Sequence, residues 1–410
     1  MVMTAALDIF LNDTRAGLLT ELPDGRILFT FDEAYINDPG RPVLSQSYLA
    51  ADGALLTDTR AYSVKAPPFF SNLLPEGHWR DYLAARGGVK PGNEFALLYL
   101  LGEDLPGAVI ARPAEDSSLP KGSEEKSLAE KTESRQPWRF SLAGVQLKFS
   151  ALMERHGGMT IPAGGMGGNW IVKLPSLTHD NVPENEYAMM HMAGQIGLKV
   201  PEIRLVPLSE IAGLPDFGKL RGTQALAVKR FDRTEGGLRI HIEDFAQVYG
   251  IFPDNKYKGV SFQNIAGMVW TLTGEEGLRD YIARLAYTIL TGNGDMHLKN
   301  WSFIYRDGRA PELAPVYDMV STVPYMPGET LALKFVKTKG MMLCDLRLFE
   351  KLAGKAGLPK KLVLDAVRET AAKTRHAWQE NKVHYALPKA IETVIDQHMK
   401  NVPLSGLRDN

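Results

Sequence analysis

Asp295, Asn300 and Asp318 are of the types, and stand in the order, that metal-assisted phosphoryl transfer needs. The first two lie five positions apart in Gly292-Asn293-Gly294-Asp295-Met296-His297-Leu298-Lys299-Asn300, and the third follows in Val316-Tyr317-Asp318. A carboxylate so placed can accept the proton of an incoming hydroxyl, while an amide oxygen one loop turn away and a later carboxylate face a divalent cation. Magnesium takes oxygen ligands of this kind, and base, amide and carboxylate occur in that order in protein-kinase catalytic loops. Glycine, asparagine and aspartate also build ordinary turns, so the pattern gains meaning from what stands upstream.

Upstream the chain supplies a phosphate cradle and a lysine in the order a kinase uses them. In Ser141-Leu142-Ala143-Gly144-Val145-Gln146-Leu147-Lys148, Gly144 lets backbone N–H groups approach phosphate oxygens and Lys148 adds charge, although the stretch is neither a Walker A nor a G-x-G-x-x-G sequence. In Trp170-Ile171-Val172-Lys173-Leu174-Pro175, Lys173 alternates with Val172, which puts the two on opposite faces of a strand and makes Lys173 a candidate to grip the α- and β-phosphates. Glu184 and Glu186, in the helix opened by Pro183, are alternative partners for it. The backbone from Lys229 to Phe231 stands where a kinase places its adenine-reading hinge. His297 is positioned to brace the loop by hydrogen bonding, and Lys299 is left open as a contact to the reacting phosphate. Arg230, Asp232 and Arg233, near Glu243 and Asp244, are expected as a surface ion-pair cluster with no catalytic role.

The elements that must position these residues are legible in outline. Short apolar runs from Leu7 to Phe31 predict an antiparallel meander, followed by helices through Arg86 and over Glu94 to Leu101, so residues 1–112 read as an α+β unit. Residues 113–137 are polar enough for a flexible linker. Residues 138–233 read as a β-rich lobe with strands at Phe149–Met153, Trp170–Leu174 and Ala225–Val228, and residues 234–410 as a helical lobe. Within that lobe, the wide apolar face of Leu278–Leu290 delivers the chain to Asp295, and Leu362–Trp378 is an ordinary amphipathic helix.

Composition narrows the classes. Lysine and arginine total 47 against 48 acids, so no global basic field exists to hold nucleic acid or an anionic membrane. Cys344 is the only cysteine, and no secretory segment is read before Leu7, which predicts a cytoplasmic protein without disulfides. No apolar run reaches the roughly 18 residues of a membrane span. Nine histidines without an H-E-x-x-H pattern give zinc chemistry no signature, and a G-x-S-x-G elbow is absent.

Taken together, Ser141 to Lys148, Trp170 to Pro175, Lys229 to Arg233, Gly292 to Asn300 and Tyr317-Asp318 resemble the HipA family of bacterial toxin-antitoxin kinases, in the same order and over nearly the whole chain. Phe69-Phe70-Ser71-Asn72-Leu73-Leu74-Pro75-Glu76-Gly77 resembles that family's amino-terminal subdomain. The resemblance implies a two-lobed, protein-kinase-like α+β fold and an ATP- and magnesium-dependent serine/threonine protein kinase. It further implies a HipB-type DNA-binding antitoxin as partner, DNA reached only through that partner, and a protein substrate such as an aminoacyl-tRNA synthetase. By the same resemblance Asp295 is the base, Asn300 and Asp318 the metal ligands, Lys173 the nucleotide-binding lysine, and Ser141 an autophosphorylated serine. Gly144, Val145, Gln146 and Lys148 line the phosphates in that scheme. A small-molecule or lipid kinase, and a nucleotide-binding co-repressor without kinase activity, are the alternative functions.

Overall fold

Strict alternation builds the first sheet. Strand β1 (Ala6–Leu11) buries Leu7, Ile9 and Leu11 and leaves the residues between them half-buried, as a strand covered on one face must. The computed structural model describes residues 4–115, 117–118, 147–154, 158–161, 168–214, 218–385 and 387–407. Here β1 turns through Asn12, whose φ of 50° suits a tight hairpin, into β2 (Thr14–Glu21). Strands β3 (Arg26–Phe31), β4 (Tyr62–Ser63) and β5 (Val109–Pro113) complete a five-stranded antiparallel sheet in the order β4-β3-β2-β1-β5. Its helices are α1 (Glu33–Asn37), α2 (Pro68–Leu73), α3 (Gly77–Gly87) and α4 (Glu94–Leu101). Phe69, Phe70 and Phe95 from these helices join Phe29 and Leu19 in one buried cluster. The expected linker, 113–137, lies almost wholly outside the described residues, and Pro113 itself ends β5.

The second sheet has six strands in the order β10-β7-β6-β8-β11-β9. They are β6 (Lys148–Met153), β7 (Met159–Thr160), β8 (Trp170–Lys173), β9 (Ile203–Pro207), β10 (Ile211–Ala212) and β11 (Gln224–Lys229). Helix α5 (Val182–Gln195) has Pro183 in its first turn, where a missing N–H does no harm, and packs against β9 and β11.

The third region holds α6 (Phe245–Val248), α7 (Phe262–Thr291), α8 (Leu346–Ala356), α9 (Lys360–Asn381) and α10 (Lys389–Asn401). Among them lies a three-stranded antiparallel sheet of β12 (His241–Asp244), β13 (Ser302–Tyr305) and β14 (Glu312–Leu313). The run from 234 onward was expected to be mostly helical, and so it is, but strands this short carry too few alternations to read. Helix α7 breaks at Gly274, with φ 66° and ψ −150°, so the expected helix over Leu278–Leu290 is its second half. That half ends at Gly292, whose left-handed φ of 68° lets its amide reach the carbonyls of Thr288 and Ile289. A side chain there would also come within 2.7 Å of Val323, so only glycine both ends the helix and turns the chain toward Asp295. Among the described residues, no helix is long and apolar enough to cross a membrane.

Buried polar groups join the amino-terminal unit to the rest. Glu243 is fully buried and accepts hydrogen bonds from the Ser45 hydroxyl at 2.6 Å, the Gln46 amide at 3.0 Å and the Tyr305 hydroxyl. His241 Nε2 lies 2.9 Å from the carbonyl of Leu44. Arg230, Asp232 and Arg233 are not the surface cluster that charge alone predicts. Arg230 and Asp232 are 8% and 5% exposed, and both arginines pair with Asp232 and with Asp104 of the amino-terminal unit.

Burial pushes Glu243 up from 4.5 to about 7, against the pull of its three donors. A carboxyl raised in the fold contributes stability that is complete below its unfolded pKa and is lost as pH climbs through the folded value. Burial lowers the neighbouring His241 to about 4, which acts in the opposite sense over the lower part of that window. We therefore expect wild type to lose about 2 kcal/mol more than Glu243→Gln between pH 5 and pH 8, measured by urea unfolding at both pH values. Parallel profiles for the two proteins would show that Glu243 does not titrate in this range.

Candidate active site

Strand register creates the electrostatic problem on which the site is built. Lys173 of β8 stands directly opposite Lys148 of β6, a like-charge cross-strand pair that is unfavourable alone. Asp318 answers it: Oδ1 accepts from Lys173 Nζ and Oδ2 lies 3.3 Å from Lys148 Nζ. Lys173 also donates to Oε1 of Glu186 on α5. The helix glutamate that pairs with the strand lysine is thus Glu186, and Glu184 forms no ion pair with it. Burial alone would lower the Lys173 pKa, but Asp318 and Glu186 outweigh it and hold it above the ordinary value. Burial would raise Asp318 too, yet the two ammonium groups hold it far below the usual carboxylate range. Glu186 goes the other way, pushed up by burial and by the charge of Asp318 despite Lys173.

Asp318 has a left-handed backbone, φ 53°, a conformation a non-glycine residue keeps only where its surroundings demand it. The preceding residue supplies one such demand. The Tyr317 hydroxyl donates to the carbonyl of Lys299 at 3.0 Å and lies 2.5 Å from Ser302 Oγ, tying this segment to the loop that carries Asp295.

The loop is folded around the backbone of Asp295. Its amide donates to Asn293 Oδ1 at 3.0 Å, and its carbonyl accepts from the His297 amide and from Asn300 Nδ2, both at 2.8 Å. The nitrogen of the Asn300 amide is therefore committed, and its oxygen accepts no hydrogen bond among the described residues. The Asp295 carboxylate accepts a 2.6 Å hydrogen bond from the hydroxyl of Tyr257. Burial raises its pKa, partly offset by Tyr257 and Lys256 and reinforced by Asp318. The two loops are joined directly: the Tyr317 hydroxyl bonds the Lys299 carbonyl, and the Gly294 amide donates to Thr322 Oγ1 at 2.8 Å. A carboxylate made more basic by burial and oriented by an accepted hydrogen bond is suited to act as a general base.

Other expected residues fall differently. His297 braces the loop by hydrogen bonding through its backbone, which bonds Asp295 and Asn300, while its ring meets Tyr257 edge-on at 4.9 Å, its Nδ1 has no partner among the described residues, and burial lowers its pKa to about 3. Lys299 does not reach toward the lysine pair. Its ammonium is taken by the carbonyl of Asn72 at 2.7 Å and Asn72 Oδ1 at 3.1 Å, with Glu76 and Asp244 each at 3.3 Å. In the expected hinge, the amides of Lys229 and Arg230 are already bonded to the carbonyls of Glu202 and Asn169, both at 2.8 Å, which leaves Phe231 as the candidate there. The Lys229 ammonium sits 3.6 Å from both Glu202 and Glu235, and the Phe231 ring lies 5.7 Å from that of Tyr317. Ser141, Gly144, Val145 and Gln146 lie outside the described residues, whereas Leu147, next to Lys148, accepts from the Leu174 amide at 2.8 Å. Tyr257 and Tyr317 were not foreseen, because nothing in an isolated tyrosine announces a partner 38 or 18 residues away.

Known proteins place this arrangement in context. The family described as HipA N-terminal domain matches residues 7–112, and that described as HipA-like C-terminal domain matches residues 140–378. Y4dM of Sinorhizobium fredii, named provisionally as a kinase, is 49% identical over 408 residues, covering 98% of each chain. The serine/threonine-protein kinase toxin HipA of Shewanella oneidensis is 29% identical over 356 residues, 78% of this chain and 76% of its own. The structure of a Shewanella oneidensis HipA, solved with HipB and its operator DNA, has the same fold, with a TM-score of 0.72 at 24% identity over 97% of this chain and 96% of that one. From residue 7 to residue 378 these matches leave one assignment, and the chain belongs to the HipA family.

Proposed function

We propose that this protein is an ATP- and magnesium-dependent serine/threonine protein kinase, and the toxin of a type II toxin-antitoxin system. The observation that carries the reading is the division of labour around Asp318. One buried lysine is clamped between Glu186 and Asp318, while the Asp295 carboxylate is oriented by the hydrogen bond it accepts from Tyr257. Lys173 and Lys148 would bind phosphate oxygens, which can offset the same two charges that Asp318 now offsets. Asp295 would orient the acceptor hydroxyl and take its proton as the oxygen attacks the γ-phosphorus.

The donor set suits magnesium: an ionised carboxylate on Asp318 and, on Asn300, an amide oxygen to which no described group donates. Among the described residues, no group of three or more His, Cys, Asp or Glu could hold an ion. Magnesium needs only one or two protein ligands where phosphates complete its shell. When bound, the ion would neutralise charge on the triphosphate.

A HipB-type antitoxin is proposed as partner because the Shewanella oneidensis HipA of like fold was solved with HipB and operator DNA. Near-neutral net charge, −1, fits a chain that reaches DNA through such a partner in the cytoplasm. The protein acceptor belongs to the translation machinery in this reading, an aminoacyl-tRNA synthetase being the model substrate.

Asp295→Asn should retain Mg-ATP binding by calorimetry while radiolabelled phosphate transfer falls by about 10²-fold or more; unchanged turnover excludes Asp295 as base. Lys173→Met leaves Glu186 and Asp318 sharing a buried space, so unfolding in urea should show a loss of about 3 kcal/mol, partly recovered in Lys173→Met/Glu186→Gln. Equal stability of both variants with wild type would mean that the clamp holds nothing together. Phosphorylation at Ser141 places nearly two negative charges in the phosphate loop, and we expect it to silence the enzyme. Mass spectrometry after incubation with Mg-ATP, paired with an activity assay, tests this; full activity at complete modification would refute it.

A further inference from the structure

We propose that Glu76, contributed by the amino-terminal unit, is a positioning residue for the catalytic loop. The inference rests on the assignment of Asp295 as base. Glu76 opens α3, far from Asp295 in sequence, yet its two carboxylate oxygens reach two lysines that each lie one step from the reacting groups. Oε1 is 3.3 Å from Lys299, which sits between Asp295 and Asn300, and Oε2 is 2.7 Å from Lys256. The carbonyl of Lys256 accepts the amide of Leu298 at 3.2 Å, and the next residue, Tyr257, holds the Asp295 carboxylate. One carboxylate therefore grips the loop from within, through Lys299, and the segment that orients the base, through Lys256.

The contact is seated rather than incidental. The carbonyl and side chain of Asn72 also bind Lys299, alongside Asp244 at 3.3 Å, and Asn72 Nδ2 donates to the carbonyl of Ile251 at 2.7 Å, while Lys65 pairs with Asp254. The 251–258 segment thus lies on the amino-terminal unit at several points. The side chains of Glu76, Lys256 and Lys299 are 29%, 21% and 14% exposed, sheltered enough that solvent does not erase their attraction as it does for open surface pairs. Burial would raise the Glu76 pKa, but the two lysines hold it below the ordinary value, so it stays charged at neutral pH.

Purified full-length Glu76→Gln, Lys256→Met and the double variant, with Asp295→Asn alongside, separate positioning from mere stability. The readouts are ADP release from Mg-ATP, calorimetric binding of Mg-ADP and the melting temperature. Each single variant should lose about tenfold in kcat, with KM for ATP and the Kd for Mg-ADP within about twofold of wild type. The double variant should be no worse than either single one, because both act through the same loop geometry. Wild-type kcat in Glu76→Gln, or losses that multiply and follow a fall in melting temperature, would overturn the inference. A dead Asp295→Asn beside an unimpaired Glu76→Gln sinks this inference alone, whereas full turnover in Asp295→Asn sinks the base assignment and the inference with it.

Discussion

Two ammonium groups facing each other across adjacent strands repel, and the site exists because a third group cancels them. The register of β6 and β8 puts Lys148 opposite Lys173, so a carboxylate has to stand between them. Asp318 does so at the expense of an unusual backbone angle, which Tyr317 helps to hold by bonding to the Lys299 carbonyl and Ser302. With it go the placement of α5, which brings Glu186 to Lys173, and the contact of the Asp295 loop with the Asp318 segment. A site that needs an anion between two lysines is also one that phosphate oxygens can enter without creating a new charge imbalance.

Local patterns were legible and long-range ones were not. Helix α4 runs from Glu94 to Leu101 as its apolar run predicts, and β1 to β3 follow the alternation from Leu7 to Phe31, because each depends only on neighbours in sequence. The Asp295-Asn300 spacing was readable for the same reason: the amide of Asn300 closes onto the Asp295 carbonyl within one short loop. Asn72, which takes the Lys299 ammonium, lies 227 residues away, so the lysine's charge suggested a phosphate contact where tertiary structure supplies Asn72. Arg230, Asp232 and Arg233 were misread on the same ground, since charge predicts exposure until a second unit is packed over it. Lys229 shows how a strand consumes hinge groups that look available on paper: its amide bonds Glu202.

The interface between the amino-terminal unit and the rest is unusually polar for something so buried, and this constrains how the two can sit. Glu243 draws its donors from both sides, Ser45 and Gln46 from one and Tyr305 from the other. Asp232 likewise takes the Gly107 amide at 2.9 Å while holding Arg230 and Arg233. Any other seating would leave a buried carboxylate without its donors, a penalty on the order of 3 kcal/mol for each. Apolar packing tolerates small shifts; these networks do not, and the second of them directly follows β11 at the expected hinge.

The two central aspartates have been driven apart by their surroundings, and that separation divides their roles. Asp318 lies between two lysines that hold its carboxylate far below the usual range, which suits the cation-ligand role proposed for it. Among the described residues Asp295 has no direct cationic partner; a neutral hydroxyl meets its carboxylate, and burial makes it more basic than a solvated aspartate. Had the lysines faced Asp295 instead, the same residues in the same order would have given a carboxylate too weakly basic to accept a proton. Chain order alone does not choose between these outcomes; the register of two strands does, and in a pair of titratable groups it is the environment that assigns the chemistry.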